Sequence, residues 1–273
     1  MLRRSVLSLL VLAAAGGSTL LQAREGPPLA GIDQVRLGVS DRARSLDFHA
    51  ALFGAVLREE TSTGSIALQL GESILLLQPA AEPAVLQHGF AVETPIPALQ
   101  AVLQDLGIRV QNEADGSLLV EDRDGVRTRL GAALPWRQLA ASALSVTGGK
   151  PVFQPLLIDE IAINVTNMQV DSMFYARLLG QTSNAVAGSQ FFSIGNHARL
   201  RLIQTAVGQP AGFNYFSVLV ANTDMDAAAE AVFRAGGIVE SFLPNGFSFW
   251  DPDGLRVFVR TAPQVLNSPP ARP

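Results

Sequence analysis

The sequence predicts an α+β protein with two tandem halves, and three observations lead to this fold class. The first is an internal repeat: residues 32–41 resemble residues 158–167, and the same offset of 126 positions takes Phe48 to Phe174. The second is an alternation of apolar and polar residues, which is typical of half-buried strands. The third is a set of helix start and stop signals between those strands. Together they predict the same elements in the same order in each half.

Each half is predicted to contain two β-α-β-β-β units, and the first unit shows how the elements are assigned. Val35, Leu37 and Val39 alternate with other residue types, which predicts a strand with one buried face. Asp41 is a suitable N-cap for a helix that Gly54 ends. The other predicted elements of the first half are strands over 66–70, 74–78 and 90–92, a helix over 96–106, and strands near 117–120 and 126–130.

The N-terminus has the layout of a signal peptide. Arg3 and Arg4 precede an apolar run over 6–15, and Ala23 offers a small residue for cleavage. The apolar run is too short to span a bilayer comfortably, so no stable membrane anchor is expected after cleavage. We therefore expect a signal peptide over 1–23 and a periplasmic or secreted protein. Both the Sec and the twin-arginine route remain open.

The repeat and the composition set the domain organisation. The predicted divisions are a domain over 30–131, a linker over 132–156, a second domain over 157–262 and a tail over 263–273. The chain has no Cys, which excludes disulfides, thiolate nucleophiles and Cys-type zinc sites. Its formal net charge is -4 and Lys150 is its one lysine, so nucleic acid is not an expected partner.

Several segments resemble the glyoxalase/bleomycin-resistance signature of the vicinal oxygen chelate superfamily. These are residues 45–54, residues 174–180 and the turn at 250–254. The resemblance covers about residues 30–131 and 156–261. It implies an open eight-stranded cup in each half. Members of this superfamily place a divalent metal in the cup, where it acts as a Lewis acid on two vicinal oxygens of the substrate.

The resemblance also implies three metal-ligand positions in each cup. In this chain they are Gln34, Gln87 and Arg129 in the first half, and Glu160, Tyr215 and Phe258 in the second half. An Arg guanidinium has no lone pair to offer, a Phe ring has no donor atom, and a neutral Tyr is a poor ligand. We therefore expect no metal cofactor. A divalent metal at an incomplete site is the alternative, with Gln34, Glu160 and, after a one-residue shift, His88 as candidate ligands.

The same face assignments indicate candidate ligand-binding residues. They are Gln34, Arg36 and Arg129 in the first cup, and Glu160, Asn164, Arg201, Tyr215 and Phe258 in the second cup. The arginines favour an anionic or carbonyl-bearing ligand. A carboxylate that faces a cup needs a partner, and Arg201 on a neighbouring strand is the candidate for Glu160.

Three functions follow from these patterns. The main hypothesis is an exported, metal-free protein of the glyoxalase/bleomycin-resistance type that binds a small molecule in its cups. The first alternative is a metal-dependent lyase, isomerase or dioxygenase of the same superfamily, and the second is a protein-interaction scaffold. Fold alone does not choose among them. Both a monomer and a homodimer are compatible with the repeat.

Overall fold

The computed structural model describes residues 27–54, 56–60, 64–132 and 150–262. The predicted signal peptide, most of the predicted linker and the predicted tail lie outside these residues. The elements of the first half are β1 (Leu29–Val39), α1 (Arg42–Phe53), β2 (Val56–Glu60), β3 (Ser65–Leu70), β4 (Ser73–Pro79), β5 (Ala84–Val92), α2 (Ile96–Asp105), β6 (Gln111–Asn112), β7 (Leu118–Glu121) and β8 (Arg127–Ala132). No helix in the described part of the chain is both long enough and apolar enough to cross a membrane.

The second half repeats this order. Its elements are β9 (Pro155–Val165), α3 (Met168–Leu179), β10 (Asn184–Val186), β11 (Ser189–Ile194), β12 (Ala198–Gln204), β13 (Gly212–Val220), α4 (Met225–Arg234), β14 (Ile238–Leu243), β15 (Gly246–Trp250) and β16 (Arg256–Thr261). Asp41 caps α1 and Asn167 caps α3 through side-chain oxygens that accept backbone N–H groups. The glycines that follow these helices have positive φ, as the prediction of helix stops requires.

The sheet topology confirms the predicted α+β fold of four β-α-β-β-β units. In each unit the first strand pairs in parallel with the last, as in β1 with β4 and β9 with β12. Within a half, the first strands of the two units pair antiparallel, β1 with β5 and β9 with β13. Each half is therefore an open eight-stranded sheet. The two sheets meet where Ile32 of β1 pairs with Ile158 of β9.

Some strands differ from the predicted ones for identifiable reasons. β5 begins at Ala84 rather than near residue 90, because the polar pair Gln87 and His88 interrupts the apolar pattern while their backbone still pairs with β1. The edge strands β6 and β10 were not located from the sequence. They are two and three residues long and all their residues are exposed, so they carry no apolar pattern.

The two halves share one hydrophobic core. Helix α1 of the first half packs on the last unit of the second half, and the rings of Phe48 and Phe249 lie 6.0 Å apart. Phe153, which precedes β9, stacks on Phe53 of α1 with ring centroids 5.5 Å apart. Buried apolar residues from both halves form a single cluster through these contacts. The halves are therefore not packed as independent bodies.

Two Asp-rich turns, which we call the crossed turns, carry most of the polar contacts between halves. They are residues 122–125, before β8, and residues 251–254, before β16. Asp251 accepts two backbone N–H groups of its own turn, and its other oxygen lies 3.2 Å from Nε2 of His49 in α1. Asp122 accepts two backbone N–H groups in the same way and also the hydroxyl of Tyr175 in α3, at 2.9 Å. Each half thus holds a helix of the other.

Candidate ligand-binding cups

The strand register decides which side chains face the first cup. Val35 and Leu37 of β1 are fully buried on the helix side, so Gln34 and Arg36 face the cup. On β5, Gln87 pairs with Arg36 while His88 pairs with Val35. His88 therefore lies on the helix side, where its Nε2 is 3.0 Å from the Thr128 hydroxyl and burial lowers its pKa to about 3. The one-residue shift that would bring His88 to a metal in the cup does not occur.

Arg129 occupies the position of the third metal ligand and fills the floor of the first cup. Its guanidinium donates to Asp33 at 2.8 Å and to Asp115 at 2.8 and 3.2 Å, and only 4% of its side chain is exposed. Glycines make room for this pair: a Cβ at Gly131 would collide with the guanidinium, and one at Gly89 would collide with the Asp33 carboxylate. A cationic side chain thus stands at a position where the resemblance implies a metal ligand.

The two carboxylates that share Arg129 have opposite pKa changes. Burial raises the pKa of Asp33 to about 6, and the attraction of Arg129 only partly offsets that burial. Burial also acts to raise the pKa of Asp115, but hydrogen bonds from Ser117 and Arg129 hold it at about 2. The difference arises because Asp33 is 5% exposed, whereas half of the Asp115 side chain is open to solvent.

The remaining polar groups of the first cup include hydrogen-bond donors that lack an acceptor. Gln87 donates to Glu113 at 3.2 Å, and Arg36 donates weakly to Gln78 at 3.4 Å. Among the described residues, Nε2 of Gln34 and Nε of Arg36 are buried without an acceptor. Buried unpaired donors of this kind favour an oxygen-bearing ligand.

In the second cup, Glu160 lies at the first ligand position and is engaged by neighbouring side chains. It is 1% exposed and accepts hydrogen bonds from Tyr215 on one oxygen and from Arg199 on the other. Arg260 adds a contact at 3.2 Å and also bonds Asp159 at 2.7 Å. Burial, and after it the negative charge of Glu160, raise the pKa of Tyr215 to about 12. The hydroxyl of Tyr215 therefore remains a donor at neutral pH.

The expected pairing of Glu160 with Arg201 is present as a long ion pair, and Arg199 and Arg260 lie closer to the carboxylate. The nearest nitrogen of Arg201 is 4.0 Å from Glu160, and the arginine donates instead to the Tyr215 hydroxyl at 3.1 Å and to Ser189. The reason is register, because Arg199 of β12 lies opposite Glu160 whereas Arg201 lies opposite Ala162. Alternation alone places both arginines on the cup face and does not show which of them lies nearer to Glu160.

Arginines and aromatic rings together line the open part of the second cup. The Arg199 and Arg201 guanidiniums lie 5.1 and 5.3 Å from the centre of the Phe191 ring. The Arg256 guanidinium lies 4.9 Å from the centre of the Phe258 ring, which itself is 4.3 Å from the Tyr215 ring. We call Arg199, Arg201 and Arg256, with the rings they cover, the arginine–aromatic rim.

The structure brings together most of the predicted residues of the second cup and leaves one apart. Tyr215, Phe258 and Arg201 converge on Glu160, whereas Asn164 lies further along β9 and accepts a hydrogen bond from Asn214 at 2.8 Å. The sequence did not point to Asp33 as the partner of Arg129. A register irregularity between Ile32 and Gln34 takes Asp33 out of simple alternation, and no sequence signal marks it.

A divalent metal does not fit either set of ligand positions. The first cup offers two neutral amides and a guanidinium that is itself bound by carboxylates. The second cup offers one carboxylate, whose two oxygens are occupied by Tyr215 and Arg199, together with a Phe ring. Within the described part of the chain, no three His, Cys, Asp or Glu residues are grouped as metal ligands. The donor chemistry therefore departs from that of a metal-binding member of the superfamily.

Comparison with solved structures identifies the fold. The chain is similar to the 2,3-dioxygenase LapB from Pseudomonas sp. KL28, with a TM-score of 0.68, 13% identity, and coverage of 87% of this chain and 93% of that one. It is also similar to the Mn(II)-bound glyoxalase from Novosphingobium aromaticivorans, with a TM-score of 0.66, 17% identity, and 86% and 83% coverage.

A third similar structure is the homoprotocatechuate 2,3-dioxygenase from Brevibacterium fuscum in complex with 3,4-dihydroxyphenylacetate. Its TM-score is 0.67 at 16% identity, over 87% of this chain and 82% of that one. No protein-family model and no curated protein matches the chain. The fold is therefore the one that these dioxygenases and the glyoxalase share, as the sequence motifs predicted.

Proposed function

We propose that the chain is an exported small-molecule-binding protein that holds an anionic ligand in its second cup without a metal. One observation carries the proposal. The carboxylate at the first ligand position is occupied by neighbouring side chains, while the arginine–aromatic rim around it is partly exposed. The chemistry that the cup presents outward is therefore cationic and aromatic.

The rim has N–H groups to spare for a ligand. A guanidinium carries five N–H groups in a planar fork that matches a carboxylate. Arg199 directs two of its nitrogens to Glu160, and Arg201 uses three hydrogen bonds on Ser189 and Tyr215. Their side chains are 44% and 33% exposed, so the remaining N–H groups are within reach of solvent and ligand.

The aromatic residues of the rim favour a ligand with a flat or apolar body. Phe191, Trp250 and Phe258 are each partly exposed beside an arginine. Apolar walls with a few convergent polar groups are typical of small-molecule sites. The solved dioxygenase complex supports this choice, because that protein of similar fold was solved with 3,4-dihydroxyphenylacetate, an aromatic carboxylate. We therefore propose an aromatic or cyclic carboxylate as the ligand class.

Ligand binding tests the proposal. After treatment with EDTA, we expect phenylacetate and related carboxylates to bind and to raise the Tm, measured by calorimetric titration and thermal unfolding. Arg201→Ala should weaken binding about tenfold or more, because a hydrogen bond between charged groups contributes about 1.5–3 kcal/mol and 1.4 kcal/mol is a factor of ten. The matched control is Arg234→Ala, an exposed helix arginine paired with Glu230, which should bind like the unaltered protein.

Two results would contradict this proposal. Equally tight binding of phenylacetamide, which has no charge, would show that the rim does not select an anion. Binding that requires added Mn²⁺ or Fe²⁺, and that Glu160→Ala abolishes together with the bound metal, would favour the metal-dependent lyase, isomerase or dioxygenase instead.

Export is the other part of the proposal, and it rests on the layout of residues 1–23. If the signal peptide is cleaved as proposed, the protein recovered from the cell envelope or the medium begins at Arg24. Intact-mass measurement after expression of the full chain checks this. A recovered protein that still carries Met1 and stays in the cytoplasmic fraction would overturn the export proposal.

A further inference from the structure

A cavity of about 120 Å³ lies at the seam where the two halves meet, away from the arginine–aromatic rim. The first half contributes Gly31, Ile32, Asp33 and Ala91 to its wall, and the second half contributes residues around Ile158 and His197. Ile32 and Ile158 are also the pair that joins β1 to β9. The volume is well above the about 10–15 Å³ that a single water molecule needs by the same measure. The cavity is therefore large enough for a short aliphatic molecule.

Small residues of the first half create this space. Gly31 pairs with Ala91 across β1 and β5, and a Cβ at Gly31 would meet no atom within 4 Å. The turns that close the seam are tight. Gly71 lies against the backbone of Leu156, and Gly195 lies against the backbone of Ala30. The open volume at Gly31 thus lies between two closely packed turns and is partly open to solvent.

The charges around the cavity are negative. Asp33 is a buried part of its wall and Glu72 lies at its exposed rim. Arg129 pairs with Asp33, but the same guanidinium is shared with Asp115. Oδ2 of Asp33 accepts from Arg129, whereas Oδ1 is buried without a hydrogen-bond partner among the described residues. Burial raises the pKa of Asp33 to about 6, so at neutral pH the carboxylate is ionised but poorly stabilised.

From this arrangement we infer that the seam cavity is a second ligand site, selective for a small alkylammonium ion. Its ammonium group would lie beside Asp33 and supply the donor that Oδ1 lacks, and its alkyl part would lie against Ile32, Ala91 and Ile158. The site is independent of the anion site proposed for the second cup, because the two are lined by different residues and select opposite charges.

The test uses n-butylammonium chloride as the probe. It is titrated into an isotopically labelled chain that begins at Arg24, and binding is followed by NMR. We expect a dissociation constant in about the millimolar range, given so few ligand atoms. Amide shifts should change at Ala91 and Ile158. n-Butanol and sodium butyrate, of the same chain length, should bind at least tenfold more weakly.

Two variants and one control test whether butylammonium binds in this cavity. Gly31→Leu fills the cavity without a backbone collision and should reduce butylammonium affinity at least tenfold, as should Asp33→Asn. Glu82→Gln removes an exposed charge that does not line the cavity and should leave affinity unchanged. Binding to Gly31→Leu that equals binding to the unaltered chain, no binding to the unaltered chain, or equal binding of butyrate would each overturn the inference. If Asp33→Asn does not fold, Gly31→Leu still decides.

Discussion

Arg129→Ala is expected to lower the free energy of unfolding by about 3–5 kcal/mol. The arginine is 4% exposed and its removal leaves Asp33, which is equally buried, without its counter-ion. Removing one partner of a buried ion pair costs about this much, because the remaining charge has lost both water and its partner. Urea unfolding followed by fluorescence or circular dichroism measures the change. Arg127→Ala, on the same strand but with an arginine half exposed, is the matched control and should cost less than about 1 kcal/mol.

The double variant Arg129→Ala/Asp33→Asn separates charge from packing. If the cost comes from the unpaired carboxylate, the added Asp33→Asn change should restore part of the lost stability. A loss of under 1 kcal/mol for Arg129→Ala would show that the pair does not support the floor of the first cup. No recovery in the double variant would assign the lost stability to packing and not to the unpaired charge. Metal titration of Arg129→Ala also tests whether the first cup binds a divalent metal once the guanidinium is removed.

Asp251→Ala is the second change with a large expected effect, at about 3–4 kcal/mol. The carboxylate accepts two backbone N–H groups of its turn and lies within hydrogen-bond distance of His49, all in buried surroundings. Hydrogen bonds to charged groups contribute about 1.5–3 kcal/mol each, and they are not additive. Asp122→Ala should behave alike, whereas Tyr175→Phe removes a single bond and should cost about half as much. Asp47→Ala, an exposed position on α1, is the control.

Hydrogen exchange gives these variants a readout specific to the crossed turns. In Asp251→Ala, the amides of α1 should exchange faster although they are about 200 residues away in sequence. Faster exchange restricted to the turn at 251–254 would mean that the carboxylate serves only its own turn. Faster exchange in both places would show that the contact between the halves is energetically significant.

The repeat makes the architecture predictable, because an offset of 126 positions relates the first units of the two halves and an offset of 129 relates the turns before their last strands. The four units and the capped starts of α1 and α3 follow from that pattern and from alternation. The failure of the metal-ligand set was predictable too, since it depends on residue type at Arg129 and Phe258 and not on fine geometry. Both positions lie on the last strand of a half, as expected.

The partners of those residues were not predictable, and the reasons are local. Asp33 reaches Arg129 through a register irregularity in β1 that leaves no mark in residue type. Arg199 lies closer to Glu160 than Arg201 does, because strand register decides between two residues that alternation treats alike. The cross-half role of Asp122 and Asp251 was also missed, since each resembles an ordinary turn former and its partner lies far away in the chain.

The crossed turns also bear on the time course of folding. His49 is made early in synthesis, but the turn that receives it follows 202 residues later, almost at the end of the chain. The first helix therefore cannot reach its final packing until nearly all of the polypeptide is present. Chains dominated by such distant pairings fold slowly, because a large loop must close before the contact forms. We therefore expect the contact between α1 and the turn at 251–254 to be among the last to form during folding.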